Sequence, residues 1–176
     1  KPVAERWKAV TGHYVTEAYG LTEASPGVSA NPVETPWNGM IGLPFPSTEI
    51  SIRDDDFKLL PLWAGEGEIE KCTGEICVRG PQVMTGYWGN PEETAKVLQE
   101  GWLKTGDIGH MSSAGFVTIT DRKKDMILVS GFNVYPNEIE SVVASHPGVL
   151  ECGAVGIADE RTGEAVKVVI VRKDPS

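Results

Sequence analysis

The chain has 176 residues, of which 40% are hydrophobic, enough to bury a real core in one domain or in one domain and part of another. Its 25 acidic side chains outnumber 16 basic ones, and the net charge of −9 excludes the basic stripe that a nucleic-acid partner requires. Cys72, Cys77 and Cys152 form no Cys-x-x-Cys pair and have no histidine at ligand spacing, which excludes a disulfide framework and a zinc site and suits a reducing cytosol.

In chain order, a short amphipathic lead precedes a strand expected to end in the turn Tyr19-Gly20-Leu21-Thr22-Glu23. Pro26, Pro32, Pro36, Gly42, Pro44 and Pro46 then punctuate ordered loops between short strands. Alternating apolar residues (Ile50 and Ile52, then Ile76 and Val78) predict half-buried strands over 48–53 and 75–79, giving a small β unit. The connection over 54–73, with its acidic triplet and Leu60-Pro61-Leu62-Trp63, receives no role.

Asn90-Pro91-Glu92-Glu93 opens a helix with a cap, a first-turn proline and a glutamate placed to close a capping box, and Gly101 is expected to end it. Residues 116–120 read as a strand running into Asp121-Arg122. After a hairpin at Gly131, a helix starts at Pro136, stops at Pro147-Gly148 and carries an apolar stripe of Ile139, Val142 and Val143. Strands over 150–157 and 165–172 complete a small α+β unit. The longest apolar run, 166–171, is interrupted by Lys167 and far too short to span a bilayer, and the first residues form no leader.

Three consecutive cations, Arg122-Lys123-Lys124, stand out in so acidic a chain as a place for an anion, although such runs commonly just face water. Tyr19-Gly20-Leu21-Thr22-Glu23, Gly74-Glu75-Ile76 with Gly86-Tyr87-Trp88, Thr105-Gly106-Asp107 and Asp121-Arg122-Lys123-Lys124-Asp125 together resemble, in this order, the later core motifs of the adenylate-forming enzymes. Each is weak alone, and the ordered set is specific. The wording Val129-Ser130-Gly131-Phe132-Asn133-Val134-Tyr135-Pro136-Asn137-Glu138-Ile139-Glu140 is most similar to bacterial long-chain fatty acid–CoA ligases, and the resemblance runs from about Arg6 to the last residue.

The resemblance implies an α+β fold: a small distorted β-barrel-like subdomain ending a large N-terminal domain (1–123), then the beginning of an α+β C-terminal lid (124–176). It implies an AMP-forming ligase that makes an acyl-adenylate from ATP and a fatty acid and passes the acyl group to CoA, with Mg²⁺ neutralising charge on the leaving pyrophosphate. Under it, Tyr19 offers a flat face to adenine, Ala18 and Gly20 border the nucleotide, Thr22 offers a hydroxyl to the α-phosphate and Glu23 an oxygen to Mg²⁺. Asp107 and Arg122 contact the ribose, Lys124 is the hinge between two working arrangements, and Gly131 leaves room for the pantetheine arm of CoA. A packed tyrosine, a plain turn aspartate and a hairpin glycine are the structural alternatives at Tyr19, Asp107 and Gly131.

Lys123 and the three histidines receive no catalytic role, and Trp37, Trp63, Trp88 and Trp102 are expected to pack. The family's Ser/Thr/Gly-rich phosphate loop does not occur before Tyr19, and its distal lysine is expected beyond Ser176, so the chain is expected to be an internal piece of a longer enzyme, inactive alone. The resemblance implies a cytoplasmic enzyme with peripheral association at the inner face of the cell membrane. An aryl- or medium-chain acid ligase, and a non-catalytic nucleotide-binding module, are the alternatives.

Overall fold

The computed structural model describes residues 2–174 and divides into two compact units, 1–119 and 120–176. Both are antiparallel, and the fold is α+β.

In the first unit, helix α1 (Pro2–Thr11) leads to β1 (Ala18–Gly20), which pairs with β2 (Gly27–Ala30), itself paired with β3 (Leu43–Pro44). A larger sheet runs β4 (Glu49–Arg53), β5 (Gly74–Arg79), then β7 (Trp102–Met111), which also pairs with β6 (Leu98–Gln99) and with β8 (Val117–Arg122). The core lies where these sheets meet: Val28, Ile52, Ile76, Val78, Leu103 and Val117 are almost wholly excluded from water. Each such side chain contributes roughly 1.5–3 kcal/mol by burial.

The strand over 75–79 is buried on both faces, not half-buried as its alternation implies, because Cys77 on the second face packs under Phe57 and Trp102. That gives the long connection a structural role. Asp54 closes a tight turn by accepting from the Lys58 N–H at 2.8 Å, and Phe57, at φ +64°, swings its ring onto the back of the sheet. Arg53 lies against the Phe57 and Trp102 rings, 4.2 and 4.9 Å from their centroids, and seals this layer.

Helix α2 (Pro91–Val97) is capped by Asn90, whose side chain accepts from the Glu93 N–H at 3.2 Å. The expected return half of the box is missing because Glu93 pairs with Lys96 instead. Gly101 does not end this helix; with Glu100, also at positive φ, it forms the tight turn between β6 and β7. Trp102 packs as expected, but Trp88 is fully exposed.

The second unit orders its strands β10 (Phe132–Val134), β9 (Ile127–Val129), β12 (Gly163–Arg172) and β11 (Val149–Asp159), with α3 (Pro136–Ala144) against β11. Ile139 and Val143 are half-buried, whereas Val142 is 73% exposed and lies off the expected stripe. Asp121, 3% exposed, accepts from the Arg122 and Asn137 N–H groups with separate oxygens, so it ties the end of β8 to a free donor in the first turn of α3. Lys123, the middle one of the three consecutive cations, is half-buried, although such runs commonly just face water. No helix among the described residues is long and apolar enough to cross a membrane.

Candidate active site

The turn Leu21-Thr22-Glu23 is a short 3₁₀ helix over Thr22–Ala24, closed by Ser25 in the left-handed region at φ 54°. Gly20 is required by close approach: a Cβ there would stand 2.2 Å from the Pro26 carbonyl oxygen, which accepts from the Leu21 N–H. This fold-back leaves Thr22 exposed and Glu23 half-buried, while Ala18 remains at the open side of β1.

Asp107 does not occupy a plain loop. Five residues of β7, from Lys104 to Ile108, span what three residues of β5 span from Cys77 to Glu75, so Thr105-Gly106-Asp107 bulges out of a continuous strand. Three contacts hold the bulge. The Thr105 hydroxyl donates to the Ile76 carbonyl at 2.8 Å and accepts from the Asp107 N–H at 3.1 Å, while the Gly106 N–H donates to Glu75 Oε1 at 3.1 Å. Glu75 is only 6% exposed, with Lys104 Nζ 3.9 Å from its other oxygen, so a buried carboxylate is spent on fastening the bulge.

The bulge delivers Asp107 to Tyr19, whose hydroxyl donates to Asp107 Oδ2 at 2.5 Å. Two motifs 88 positions apart in sequence thereby meet at one place on the first unit. Glu23 is also tied down: its carboxylate Oε1 accepts from the Tyr87 hydroxyl at 2.8 Å, and its backbone carbonyl accepts from the Met84 N–H at 2.8 Å. The carboxylate neighbour holds the Tyr87 phenol above its ordinary pKa, chiefly through that hydrogen bond, so Tyr87 remains a donor.

Arg122, Lys124 and Gly131 belong to the second unit. Arg122 ends β8, and Lys124 is the exposed third residue of a turn closed by the Asp125 N–H donating to the Arg122 carbonyl at 3.0 Å. Both line a cleft of about 560 Å³ with Asp125, Glu140 and Glu164. Gly131 lies outside that cleft, at the tip of the β9–β10 hairpin, where it and Ser130 both have positive φ. The hairpin requirement at Gly131 is therefore present, and a Cβ there would meet nothing within 4 Å.

Profiles of the AMP-binding enzyme family match residues 1–88, and those of the AMP-binding enzyme C-terminal domain match 138–176. The chain belongs to the AMP-binding enzyme family. This AMP-binding chain is 56% identical over 175 residues to a long-chain-fatty-acid–CoA ligase of Escherichia coli O6:H1, covering 99% of itself and 30% of that protein. It is 40% identical to a feruloyl-CoA synthase of an Amycolatopsis species, covering 91% of itself and 31% of the relative. Among solved structures it superposes on ATP-bound MatB of Rhodopseudomonas palustris with a TM-score of 0.85 at 37% identity, covering 99% of itself and 34% of that chain. It thus spans about 30% of the length of the relatives it matches.

Two residues here had no assigned role in the sequence. Glu75 and Tyr87 sit in motifs that mark the family, Gly74-Glu75-Ile76 and Gly86-Tyr87-Trp88, and motif membership was the one sequence signal for either. Among the described residues no group of three or more His, Cys, Asp or Glu side chains could hold a metal ion. Magnesium does not need one, since it binds through one or two carboxylates together with substrate phosphates and water. Glu23, presenting one half-buried carboxylate on the Thr22–Ala24 turn, fits that requirement.

Proposed function

We propose that this chain is part of an ATP-dependent fatty acid–CoA ligase of long-chain specificity. In the first half-reaction a carboxylate oxygen of the fatty acid forms a bond to the α-phosphorus of ATP, and pyrophosphate leaves. In the second, the CoA sulfur bonds to the acyl carbon, AMP leaves, and the thiol proton is lost to solvent. The observation that carries this reading is the Tyr19–Asp107 hydrogen bond, which sets an aromatic face and a carboxylate side by side as a nucleoside needs.

Tyr19 packs on adenine between the backbones of Ala18 and Gly20, and Asp107 accepts from the two ribose hydroxyls with Arg122 as the second ribose contact. Thr22 hydrogen-bonds the α-phosphate. Glu23 is the protein's ligand for Mg²⁺, which when bound neutralises the leaving pyrophosphate. The turn at Lys124 is the hinge, with the domain boundary between residues 123 and 124, and Gly131 borders the path of the pantetheine arm. The enzyme is cytoplasmic, with peripheral contact to the inner face of the membrane.

Identity to the ligase of E. coli supports the long-chain reading, and identity to the feruloyl-CoA synthase favours an aryl-acid ligase as the second. The longer enzyme, purified and given ATP, Mg²⁺, CoA and either palmitate or ferulate, separates them. Palmitate-dependent pyrophosphate release with palmitoyl-CoA by mass spectrometry is expected. Ferulate turnover alone moves the assignment to the aryl class, and no acid-dependent pyrophosphate release with either acid, or with acids of intermediate length, leaves a nucleotide-binding module.

A further inference from the structure

Tyr87 lies in a family-marking motif to which the proposed chemistry gives no task. Of the two adjacent aromatics there, Trp88 is fully exposed, while the Tyr87 hydroxyl is held by Glu23. Its backbone N–H donates to Thr94 Oγ1 at 2.9 Å, its carbonyl accepts from the Asn90 N–H at 3.1 Å, and Thr94 Oγ1 donates to the Asn90 carbonyl at 2.8 Å. The first turn of α2 therefore fixes the backbone from which the ring departs. Gly86 lies so close to Thr94 that a Cβ would stand 2.8 Å from its methyl carbon, so this seat has little slack.

From that seat the Tyr87 hydroxyl crosses 64 positions of sequence to Glu23 Oε1, and Met84, three residues earlier, holds the Glu23 backbone carbonyl. One segment thus grips both ends of the same residue. Glu23 Oε2 makes no hydrogen bond among the described residues, so the carboxylate is divided into one committed oxygen and one available oxygen. A small octahedral cation that keeps its waters and phosphate ligands accepts a carboxylate through one oxygen. A donor on the other oxygen fixes the rotamer before the metal arrives.

We propose that Tyr87 is a positioning residue that presents Glu23 Oε2 to a divalent cation carried by the nucleotide. This rests on the reading of Glu23 as a metal ligand. Loss of such an outer hydrogen bond typically weakens metal binding about ten- to a hundredfold.

The test uses the longer enzyme with an ATP analogue that cannot release pyrophosphate, titrated with Mn²⁺ and followed by water proton relaxation. Tyr87→Phe removes only the hydroxyl from a residue that is 37% exposed. It is expected to weaken Mn²⁺ at least about tenfold, with melting temperature and metal-free analogue binding unchanged. Combined with Glu23→Gln, it is expected to add nothing to the loss caused by Glu23→Gln alone, because both act on one ligand. If Glu23→Gln weakens Mn²⁺ and Tyr87→Phe does not, the role of Tyr87 is overturned while Glu23 stays a ligand. If Glu23→Gln binds Mn²⁺ as wild type does, the ligand reading falls and takes this one with it. Full additivity in the double variant overturns the assignment by placing Tyr87's effect elsewhere. So does a Tyr87→Phe enzyme that melts several degrees early and loses the analogue together with the metal, since that is lost structure.

Discussion

Of the proposed site residues, Tyr19, Asp107 and Glu23 in the first unit are held by long-range contacts, and those of the second unit by local turns. Tyr19 with Asp107 and Glu23 with Tyr87 are joined across 88 and 64 sequence positions, on elements packed over a closed core. Arg122, Lys124 and Gly131 sit exposed on a four-residue turn and a two-residue hairpin tip, each set by its own few backbone angles. The first arrangement suits a task in which a rigid nucleotide must be met by groups already in place. The second suits a segment whose backbone must rotate without disturbing a core.

The contrast is open to attack, most severely through the core. Ile76→Ala should destabilise the first unit by about 2–5 kcal/mol, as for other fully buried isoleucines. All five tryptophans lie in that unit, so denaturant midpoints read by their fluorescence should fall while amide exchange in β11 and β12 is unchanged. Equal loss of protection in both units would show that they unfold as one body.

Lys124→Pro in the longer enzyme should lower thioester formation at least about tenfold, equivalent to about 1.4 kcal/mol of barrier, and leave pyrophosphate exchange near wild type. Proline there fixes φ and presses Lys123 out of the helical region, so it stiffens the turn proposed as the hinge. Lys124→Gly is the control, since it keeps the freedom and loses only the side chain. Parallel measurement of the two half-reactions decides, and equal loss of both would remove the hinge.

Gly131 allows strain and bulk to be separated. At φ +84° any side chain is strained, yet a Cβ meets nothing nearby, so Gly131→Ala carries the strain without the obstruction. Both Gly131→Ala and Gly131→Leu should cost about 1 kcal/mol of stability, and only Leu should raise the KM for CoA. If Ala and Leu raise it equally, Gly131 serves the hairpin alone.

The smallest effect concerns His110, which is 9% exposed, lies edge-on to Trp63 at 5.4 Å between centroids, and has an Nδ1 with no hydrogen-bond partner. Burial lowers its pKa from the ordinary 6.5, so the unfolded chain takes up a proton that the folded chain refuses. Stability should therefore fall as pH drops through about 6.5 and stop falling below the lowered value. Melting curves from pH 7.5 to 5 should flatten in His110→Gln, and an unchanged slope would assign the acid sensitivity to other groups.

Much of this was legible in the sequence because it depended on local chemistry. The Asn90 cap, the hairpin before α3 and the two long strands β11 and β12 follow from turn residues and periodicity that act within a few positions. What was not legible depended on partners distant in sequence. Residues 75–78 read as half-buried because nothing nearby reveals that Phe57 and Trp102 cover their second face. Asp107 carried the alternative of a plain turn aspartate because a bulge is defined only by the strand it fails to match. The Asp107 position was found from its motif, while its support by Glu75 and its contact with Tyr19 required three dimensions.

The bulge in β7 has an even excess of two residues, and side chains in a strand alternate faces with a period of two. Leu103 before it and Ile108 after it consequently keep the facings that an uninterrupted ladder would give them. Removing one residue from the tripeptide would reverse the facings from Ile108 to Met111, whereas removing two, Asp107 among them, would rejoin the strand in phase without the carboxylate. The acidic group therefore occupies a length of chain that the ladder itself does not use, and insertion or loss in pairs is the step by which such a strand could gain or surrender the nucleoside contact proposed for Asp107.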